Sequence, residues 1–535
     1  MGTTRKDLSP EQLLFVDRTS SQPVPGSVEE LMIFEQLQSE FSKQFQFFFP
    51  DHLAEKTIVV IPSLTLDQEV LAKVVGASYY EERLLCLLML LRMPRTHVIY
   101  VSSMPIDPVI IDYYLHLLPG ITGYHARERL TLLSCYDSSP VSLTEKILKR
   151  CRLMARIKNS IPPGHVAHIA CFNTTALERT LAVRLGIPVY GCDPSLNYLG
   201  SKSGSRKAFL LAGVPMPPGF EDLRTYEDLV QALARLKEEH PYLKKAVIKL
   251  NEGFSGDGNA IIRYPQLLDK NDLVSWLQQN LHHEIKPVAP DLPVVFFLEK
   301  FRMMGGIVEA FIEGDTKVSP SVQCRVNPLG EVDIISTHDQ ELGGDSGQIF
   351  LGAYFPADKA YRAEVGTMGK AISTVLKEKG VLGRFGIDFI SVWENNAWTH
   401  YAIEINLRKG GTTHPYLMMQ FLTGGQYNET SGLFETASKH HRYYYATDNL
   451  QNNAYRGLTP QDLIDIAMFH GLHFNGVTQK GVMFHMIGAL SQYGKIGVVC
   501  IGASRQEATF YYRKTIEVLD AETGCKENHL PKTGI

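Results

Sequence analysis

The sequence lacks the features that mark nucleic-acid-binding and membrane proteins. Its 53 Lys and Arg residues are balanced by 57 Asp and Glu residues, which gives a net charge of −4 without a concentrated basic run. A basic patch is the electrostatic mark of binding to nucleic acids or anionic membranes, so we expect neither partner. The longest apolar run, Leu84–Leu91, is far shorter than the roughly 20 residues that cross a bilayer. The sequence therefore predicts no membrane span.

Signals for export and for disulfide formation are also missing. The first residues, Met-Gly-Thr-Thr-Arg-Lys-Asp, contain no apolar signal core. The eight cysteines are scattered without a Cys-x-x-Cys pair, a usage typical of reduced thiols. Hydrophobic residues make up 44% and charged residues 21% of the chain, as in an ordinary folded enzyme. Together these observations predict a cytoplasmic protein.

Two common phosphate-binding motifs are absent as well. The chain has no glycine-rich loop that ends in Gly-Lys-Ser or Gly-Lys-Thr at the start of a helix, which excludes a P-loop nucleotide site. It also has no Gly-x-Gly-x-x-Gly fingerprint, so we assign no dinucleotide to its N-terminal half.

Three oxygen-bearing side chains fall on one face of a predicted β-hairpin. Residues 385–406 contain two alternating segments, separated by the turn signal Trp-Glu-Asn-Asn-Ala-Trp. A loop centred on Asn396 sets Asp388 directly opposite Glu404, with Cβ atoms roughly 5 Å apart, and places Asn406 on the same face. Because two facing carboxylates repel each other, the pattern predicts a divalent cation between them. The alternative is a pair that Lys or Arg neutralises on a solvated sheet face.

A lysine-bearing strand followed by a glycine-rich loop lies upstream. Residues 245–250 are apolar around Lys249, and the loop after them contains Gly253, Gly256 and Gly258. Glycine removes the Cβ obstruction, so backbone amides in such a loop can approach phosphate oxygens. We interpret the segment as a hairpin flap, although three glycines are also typical of ordinary turns.

Taken in order, these elements resemble the ATP-grasp superfamily of carboxylate–amine ligases. The resemblance rests on Lys202, Lys249, the glycine loop 253–258, the segment Phe-Leu-Glu-Lys-Phe-Arg (297–302), Asp388 and Glu404-Ile-Asn406. Three further stretches, residues 59–67, 404–415 and 481–499, resemble the pheganomycin peptide ligase-like group within that superfamily.

The resemblance implies a mixed α/β (α+β) fold in several units. These are an N-terminal open α/β pre-ATP-grasp domain, an ATP-grasp fold and a small C-terminal α/β domain. Alternating strand and helix patterns in the first half independently favour an open parallel sheet. The predicted boundaries are 1–50 for a partly ordered extension, 51–200 for the pre-ATP-grasp domain, 201–425 for the nucleotide- and metal-binding ATP-grasp domain, 426–456 for a linker and 457–535 for the C-terminal domain.

The resemblance also implies which residues bind the nucleotide. Two lysines would contact it, Lys202 and Lys249. The superfamily more often has Asp-Lys where this chain has Ser-Lys, so Arg206 and Lys207 stay open as alternatives to Lys202. The flap would contribute Gly253, Ser255, Gly256 and Gly258, and a hinge would contribute Glu299, Lys300 and Phe301 to adenine binding. Either Glu299 or Glu309 would bind the ribose.

The implied reaction joins a carboxylate to an amine. Asp388, Glu404 and Asn406 would hold Mg²⁺, with Mn²⁺ as the alternative, and Arg408 and Lys249 would assist catalysis. ATP would become ADP and phosphate through an acyl phosphate, and the partners would be a small-molecule acid and an amine or peptide. The alternatives are a carboxylate kinase that stops at phosphoryl transfer and a catalytically silent ATP-binding regulatory protein. A homo-oligomer stays open.

Three local expectations concern regions outside these motifs. Residues 294–298 are predicted to form a strand, and 340–352 an irregular substrate loop. Around that loop, a cationic substrate group or a carboxylate could be bound, although ordinary structural roles are the alternative; the candidates are His338, Asp339, Glu341 and Arg325. His485 lies in an apolar, helix-like context and is interpreted as a core histidine.

Overall fold

A four-stranded parallel sheet forms the centre of the first of two units, Met1–Pro194. The computed structural model describes residues 22–65, 74–253, 258–265, 270–289, 292–314, 316–343 and 349–524. The sheet order is β3-β2-β1-β4, with β1 Lys56–Ile61, β2 Thr96–Ser102, β3 Leu130–Ser134 and β4 Val166–Cys171. Strand β1 is buried along its whole length because helices cover both faces of a parallel sheet. The predicted open parallel α/β arrangement is therefore confirmed.

Helices surround this sheet. They are α1 Val28–Phe48, a 3-10 helix Ala77–Arg92, α2 Pro108–His116, α3 Gly123–Arg127, α4 Leu143–Leu148, α5 Cys151–Asn159 and α6 Ala176–Leu185. Helix α6 begins with a capping box in which Thr175 and Glu178 satisfy each other's backbone N–H groups. The cysteines in the described part of the chain are free thiols, as the sequence predicts.

The second unit, Ser195–Ile535, begins with a five-stranded sheet. Its order is β5-β9-β6-β7-β8, with β5 Gly219–Leu223, β6 Lys245–Leu250, β7 Asn259–Arg263, β8 Lys286–Pro287 and β9 Gly306–Ala310. The associated helices are a 3-10 helix Pro194–Gly200, α7 Lys202–Leu211, α8 Tyr226–Glu239, α9 Lys270–Glu284 and α10 Val294–Met304. One apolar core joins α8, α9 and α10 to the strands.

The strand predicted over residues 294–298 is wrong, because this segment opens helix α10. Phe297 and Phe301 are four residues apart, so they lie on one helical face, and both are buried in the core of the five-stranded sheet. Gly305, with φ of +75°, ends the helix. An apolar run of this length fits both a strand and a helix, and only packing against the core distinguishes them.

An eight-stranded sheet forms the rest of the second unit, in the order β14-β13-β10-β11-β12-β17-β19-β18. Its strands are β10 Thr316–Val326, β11 Val332–Gly343, β12 Ile349–Phe355, β13 Gly383–Glu394, β14 Ala397–Asn406, β17 Tyr443–Gln451, β18 Gly481–His485 and β19 Lys495–Gly502. A separate small hairpin consists of β15 Gln426–Asn428 and β16 Leu433–Glu435. The helices are α11 Arg362–Glu378, α12 Thr413–Thr423, a 3-10 helix Asn453–Gly457, α13 Pro460–Phe469, α14 Ala489–Tyr493 and α15 Arg505–Glu522.

The C-terminal strands are part of this same sheet. Strand β17 lies within the predicted linker 426–456 and pairs with β12 and β19, and β18 pairs with β19. The predicted domain boundaries themselves stay predictions. Within the described residues, no helix combines the length and the apolar character that a bilayer span requires.

The predicted irregular loop 340–352 is largely wrong, because most of its described residues belong to β11 and β12. The two strands pair from Asp339 opposite Tyr354 to Gly343 opposite Ile349. Three of the candidate ligands there have structural partners instead. His338 is bonded to the Tyr444 hydroxyl, Asp339 accepts from the Tyr361 hydroxyl and Arg505, and Glu341 accepts from the Tyr445 hydroxyl. Arg325 is bonded twice to Asp333.

His485 is a buried histidine, as predicted, but it lies on strand β18 and not in a helix. Its Nε2 is 2.6 Å from Asp448 Oδ1, and its ring stacks on that of His414 with centroids 4.3 Å apart. The apolar residues around His485 are compatible with a buried strand as well as with a helix, so the sequence pattern did not distinguish the two.

Candidate functional site

The β13–β14 hairpin, which we call the acid hairpin, carries the three predicted metal ligands. Its two-residue turn consists of Asn395 and Asn396, whose φ angles of 52° and 62° are those of a type I′ hairpin turn. This turn pairs Phe389 with Ala402, and a β-bulge between Asp388 and Phe389 then shifts the register by one residue, which sets Asp388 opposite Glu404 and Gly386 opposite Asn406. The register predicted from the sequence is therefore confirmed, and the three side chains share one face of the sheet.

Hydrogen bonds fix the orientation of the Asp388 carboxylate. Asn406 Nδ2 donates to Asp388 Oδ2 at 2.9 Å, and Gln340 Nε2 donates to Asp388 Oδ1 at 2.6 Å. Strand β14 ends at Asn406, so Arg408 lies beyond the strand. Its guanidinium nevertheless reaches the hairpin and donates to Asn406 Oδ1. Gln340 was missed by the sequence reasoning, because its place beside Asp388 depends on the register of β10, β11 and β13, which no local motif records.

The two acids of the hairpin have opposite pKa shifts. Burial, reinforced by the negative charge of Glu404, raises the pKa of Asp388 to about 6. Burial alone would raise the pKa of Glu404 too, but Lys202, Arg408 and Lys249 hold it below its usual range. Lys202 forms an ion pair with Glu404. The alternative that the sequence left open, an acid neutralised by a lysine, is therefore correct for Glu404. Among the described residues, Asp388 has no ion pair.

This donor set fits a divalent cation. Two carboxylates and an amide oxygen are hard ligands of the kind that Mg²⁺ prefers. The raised pKa of Asp388 reports an unfavourable negative charge that a bound cation would stabilise. A divalent cation held here would compensate the negative charge that Lys202 leaves on the two acids.

The two lysines predicted to bind nucleotide lie on neighbouring elements of the second unit. Lys202 begins helix α7. Its backbone N–H donates to the carbonyl oxygen of Asn251 at 3.2 Å, and Asn251 directly follows β6. Lys249 lies on β6 and is bonded to Glu309 of β9. Both lysine side chains are buried. Because the charges of both act on Glu404, they converge on the acid hairpin.

The β6–β7 hairpin, which we call the flap hairpin, contains the glycine loop. Lys249 pairs with Asn259, and a Cβ on Gly253 would lie 3.3 Å from the Cα of Gly258. A side chain at either position would thus make a tight contact with the facing backbone segment, which favours glycine at both. Ser255 and Gly256, the other two predicted flap residues, lie outside the described residues.

The predicted adenine hinge does not have the required backbone. Glu299, Lys300 and Phe301 lie inside helix α10, where backbone groups are engaged in helical hydrogen bonds. Glu299 is exposed, the Lys300 ammonium lies 4.7 Å from the centre of the Phe296 ring, and Phe301 is in the core. The non-helical segment 311–314, which joins β9 to β10, is the connection between the two sheets.

Glu309, the other predicted ribose ligand, lies on β9 beside two buried cationic side chains. It is bonded to Lys249, and its Oε2 lies 3.5 Å from Arg206 Nη1. Arg206 also bonds Glu221, so it is committed to this internal network. Arg206 and Lys207 were the alternatives to Lys202 as the first nucleotide-binding cation. Arg206 is oriented toward Glu309, and Lys207 is paired with Asp222.

Family profiles match two parts of the second unit. A family profile described as IQCH-like, ATP-grasp matches residues 194–291 and 293–430, and a PGM1 C-terminal domain profile matches residues 462–515. The chain is therefore similar to ATP-grasp proteins over these residues. The predicted resemblance is therefore confirmed.

Individual relatives extend the similarity to most of the chain. The chain is 29% identical over 466 residues to an L-propargylglycine–L-glutamate ligase of Streptantibioticus cattleyicolor, covering 85% of this chain and 92% of that protein. It is 26% identical over 424 residues to the IQ motif-containing protein H of Danio rerio, covering 70% of this chain and 40% of that protein. The biotin carboxylase of Campylobacter jejuni, solved with a β,γ-ATP ligand, matches in fold with a TM-score of 0.50 at 14% identity, covering 86% of this chain and 91% of that one.

Proposed function

We propose that this protein is an ATP-dependent carboxylate–amine ligase of the peptide type, which forms a carbon–nitrogen bond through an acyl phosphate. The observation that carries the proposal is the acid hairpin, where Asp388 faces Glu404 beside Asn406 and Arg408. The similarity to a ligase over 85% of the chain supports the same reaction class. A cytoplasmic location and small-molecule acid and amine substrates belong to the same proposal.

The residues of the acid hairpin have distinct roles in this proposal. Asp388, Glu404 and Asn406 would hold one or two Mg²⁺ ions, which neutralise charge on the β- and γ-phosphates. Lys202 and Lys249 would exchange their glutamate partners for phosphate oxygens when ATP binds. The segment 311–314 takes the place of the predicted hinge in contacting adenine, and Gly253 and Gly258 would cover the phosphates.

The chemical step follows from charge and position. A carboxylate is a poor electrophile, so its oxygen attacks the γ-phosphorus and ADP leaves. The amine nitrogen then attacks the carbonyl carbon of the acyl phosphate, inorganic phosphate leaves, and the nitrogen loses a proton. Arg408, which is oriented by Asn406, would stabilise the negative charge on the transferred phosphoryl group. Little acid–base work by side chains is needed, because orientation and charge neutralisation lower the barrier.

The substrates are inferred to be amino acids or peptide-like acids and amines. The name of the Streptantibioticus relative states that it joins one amino acid to L-glutamate. We therefore propose L-glutamate as the first substrate to test on this chain, both as the acid and as the amine.

The deciding experiment is a pairwise screen of amino acids and short peptides with ATP and Mg²⁺. We expect a condensed product by mass spectrometry, together with ADP and phosphate, only when acid and amine are both present. The matched control is the Glu404→Gln variant, which should give no product. AMP and pyrophosphate as products would contradict the acyl-phosphate route. A phosphorylated acid that accumulates regardless of amine would identify a kinase, and no ATP turnover with any pair would favour the silent ATP-binding protein.

A further inference from the structure

Two of the three predicted metal ligands in the acid hairpin are bonded to cations of the protein itself. The ammonium of Lys202 forms an ion pair with the carboxylate of Glu404, and the guanidinium of Arg408 donates to Oδ1 of Asn406. A divalent cation would bind oxygens of the same two side chains. The internal cations and a metal ion therefore compete for these ligands.

The pair of Lys202 and Glu404 is the stronger part of this competition. The side chain of Lys202 is buried and that of Glu404 is partly buried, and opposite charges attract more strongly where water is excluded. Burial raises the pKa of Glu404, and Lys202 acts most strongly among the cations that lower it again. Lys202 is therefore the main competitor of a metal ion at this carboxylate.

The backbone around Lys202 is held from two sides, which leaves the side chain as the part that can exchange partners. The backbone N–H of Lys202 donates to the carbonyl of Asn251, and the next residue, Ser203, donates to Asn251 Oδ1 at 3.0 Å. Further along α7, Ser205 Oγ accepts from the backbone N–H of Ile405 at 3.0 Å. Lysine carries a point charge on a flexible four-carbon stem, so its ammonium can move between acceptors on a fixed backbone.

Displacing Lys202 is unfavourable unless a new anion receives its ammonium. A buried charge that loses its partner is strongly destabilising. The other buried glutamate of the site, Glu309, already has Lys249 and Arg206 as partners. The phosphate oxygens of a nucleotide would supply the new partner through charge-assisted hydrogen bonds. Phosphate binding to Lys202 would thus release Glu404.

We propose that Lys202 makes metal binding at the acid hairpin conditional on a bound nucleotide. Without nucleotide, its ammonium holds Glu404. With ADP or ATP bound, phosphate oxygens hold the ammonium, and Glu404 is released for a divalent cation. The inference rests on the proposed ligase function and specifies how its nucleotide and metal sites are coupled. By thermodynamic linkage, the cation strengthens nucleotide binding by the same factor.

Electron paramagnetic resonance of Mn²⁺ without nucleotide tests this coupling in the full-length protein. Lys202→Met keeps the apolar stem but removes the charge that competes for Glu404. We expect Mn²⁺ alone to bind this variant about 10- to 100-fold more tightly than wild type, the factor that one charge-assisted contact contributes. Equal affinity of the two proteins for Mn²⁺ alone would overturn the proposal.

Two variants of the same helix are the matched controls. Lys207→Met removes a cation that is paired with Asp222 and not with the acid hairpin, so the affinity for Mn²⁺ alone should stay within about twofold of wild type. Lys202→Arg keeps the charge and offers Glu404 a planar fork, so Mn²⁺ alone should bind no more tightly than to wild type. A gain in Lys207→Met equal to that in Lys202→Met would show that net charge, and not the contact with Glu404, controls metal affinity.

A double variant identifies where the additional metal affinity arises. Lys202→Met with Glu404→Gln removes both the competitor and the carboxylate that it releases, so the affinity gained in Lys202→Met should be lost again. A double variant that binds Mn²⁺ alone as tightly as Lys202→Met would place the metal elsewhere and contradict the proposal.

Melting temperatures separate metal binding from a general loss of stability. Lys202→Met leaves Asp388 and Glu404 facing each other without the ammonium, so its melting temperature should be below that of wild type and should rise with Mn²⁺ alone. The melting temperature of wild type should rise with Mn²⁺ only when ADP is also present. If Lys202→Met does not fold, Lys202→Gln replaces it, because a neutral amide still donates to Glu404. We then expect a smaller gain in Mn²⁺ affinity, and no gain would contradict the proposal.

Calorimetry of ADP binding measures the coupling from the nucleotide side. The factor by which saturating Mn²⁺ improves ADP affinity, relative to EDTA, should be about 10- to 100-fold larger in wild type than in Lys202→Met. Formation of Mn²⁺–ADP in solution is the same for both proteins and cancels in this comparison. An equal factor in the two proteins would contradict a role of Lys202 in the coupling.

Two further outcomes separate this inference from the ligase function. If wild type binds Mn²⁺ alone as tightly as it does with ADP, the coupling is wrong and the ligase function stands. If neither wild type nor Lys202→Met binds Mn²⁺ or ADP under any of these conditions, the nucleotide and metal site is wrong, and the proposed function fails together with the coupling.

Discussion

The second unit contains two buried lysine–glutamate pairs that differ in their surroundings. In one pair Lys249 and Glu309 are 8% and 4% exposed, and Arg206 gives the glutamate a second cationic neighbour. In the other pair Lys202 is 9% and Glu404 25% exposed, and Glu404 faces a second acid, Asp388. The first pair is closed and compensated, whereas the second leaves one negative charge unbalanced.

This difference indicates at which of the two lysine–glutamate pairs a metal ion could replace the lysine as the partner of the glutamate. Burying two ions is costly, and a pair is retained when additional partners compensate for lost hydration. Glu309 has those partners, so breaking its pair should affect stability as well as binding. Asp388 has a raised pKa, so a cation at the acid hairpin should be stabilising there. Lys249 and Glu309 thus form a compensated pair between β6 and β9, and we propose that the acid hairpin is the place where a cation binds.

Glu404→Gln should have the largest effect and would break the comparison most directly. The change keeps size and shape but removes one negative charge from the cation site, so kcat should fall on the order of 100-fold or more. Excess Mg²⁺ should recover part of the loss in a titration of the steady-state rate. As the control, Asp333→Asn removes an acid that pairs with Arg325 on the same sheet, and it should stay within about twofold of wild type.

Lys249→Met should have the next largest effect, on ATP binding and on stability together. Loss of the ammonium should raise the KM for MgATP by about 10- to 100-fold at saturating Mg²⁺. Glu309 would then be compensated only in part, by Arg206, so the free energy of unfolding should also fall by about 2 kcal/mol. Urea denaturation measures this second effect.

A double variant separates the two effects of Lys249. Lys249→Met with Glu309→Gln removes the uncompensated charge, so stability should return toward wild type while the MgATP KM stays high. If the double variant recovers nucleotide affinity as well, Lys249 acts through folding and does not contact ATP.

A pH series sharpens the comparison at Asp388. With its pKa near 6, this carboxyl group takes up a proton as the pH falls through that value, and the protonated form is a poor ligand for a cation. The affinity for MgADP measured by calorimetry should therefore weaken between pH 7.5 and 5.5, and higher Mg²⁺ should offset the loss. In Glu404→Gln one cause of the raised pKa is absent, so the midpoint should move to lower pH. An unshifted midpoint would mean that the two acids do not interact.

Glu299→Ala should have the smallest effect, because Glu299 is an exposed residue of helix α10. We expect the MgATP KM to stay within about twofold of wild type and the melting temperature to change little. A large rise in the MgATP KM would restore the hinge originally predicted at 299–302 and contradict the assignment of 311–314.

What the sequence could predict depends on how local the determining physics is. The side-chain repeat made the shared face of the acid hairpin predictable. The two-residue turn alone would place Asp388 opposite Ile403, and the β-bulge between Asp388 and Phe389 that brings it opposite Glu404 has no local motif in the sequence. The helix over residues 294–304 was not predictable, because a short apolar run fits a buried strand and a buried helix equally well. Only its packing against the rest of the molecule distinguishes the two. The place of Gln340 beside Asp388 depends on the pairing of β10 with β11 and with β13, which is distant in the sequence. No local pattern contains that information.

The central claim is that Asp388 and Glu404 share a divalent cation with the nucleotide, and electron paramagnetic resonance of Mn²⁺ tests it most directly. Free Mn²⁺ gives a strong signal that decreases on binding, so a titration in the presence of ADP counts bound metal without requiring turnover or the natural substrates. The account predicts tight, ADP-dependent binding to wild type, at least tenfold weaker binding to Glu404→Gln, and nearly unchanged Mn²⁺ binding to Lys249→Met at saturating ADP. A folded Glu404→Gln variant that binds Mn²⁺ as tightly as wild type would show that the facing acids are a structural pair, and would contradict the account.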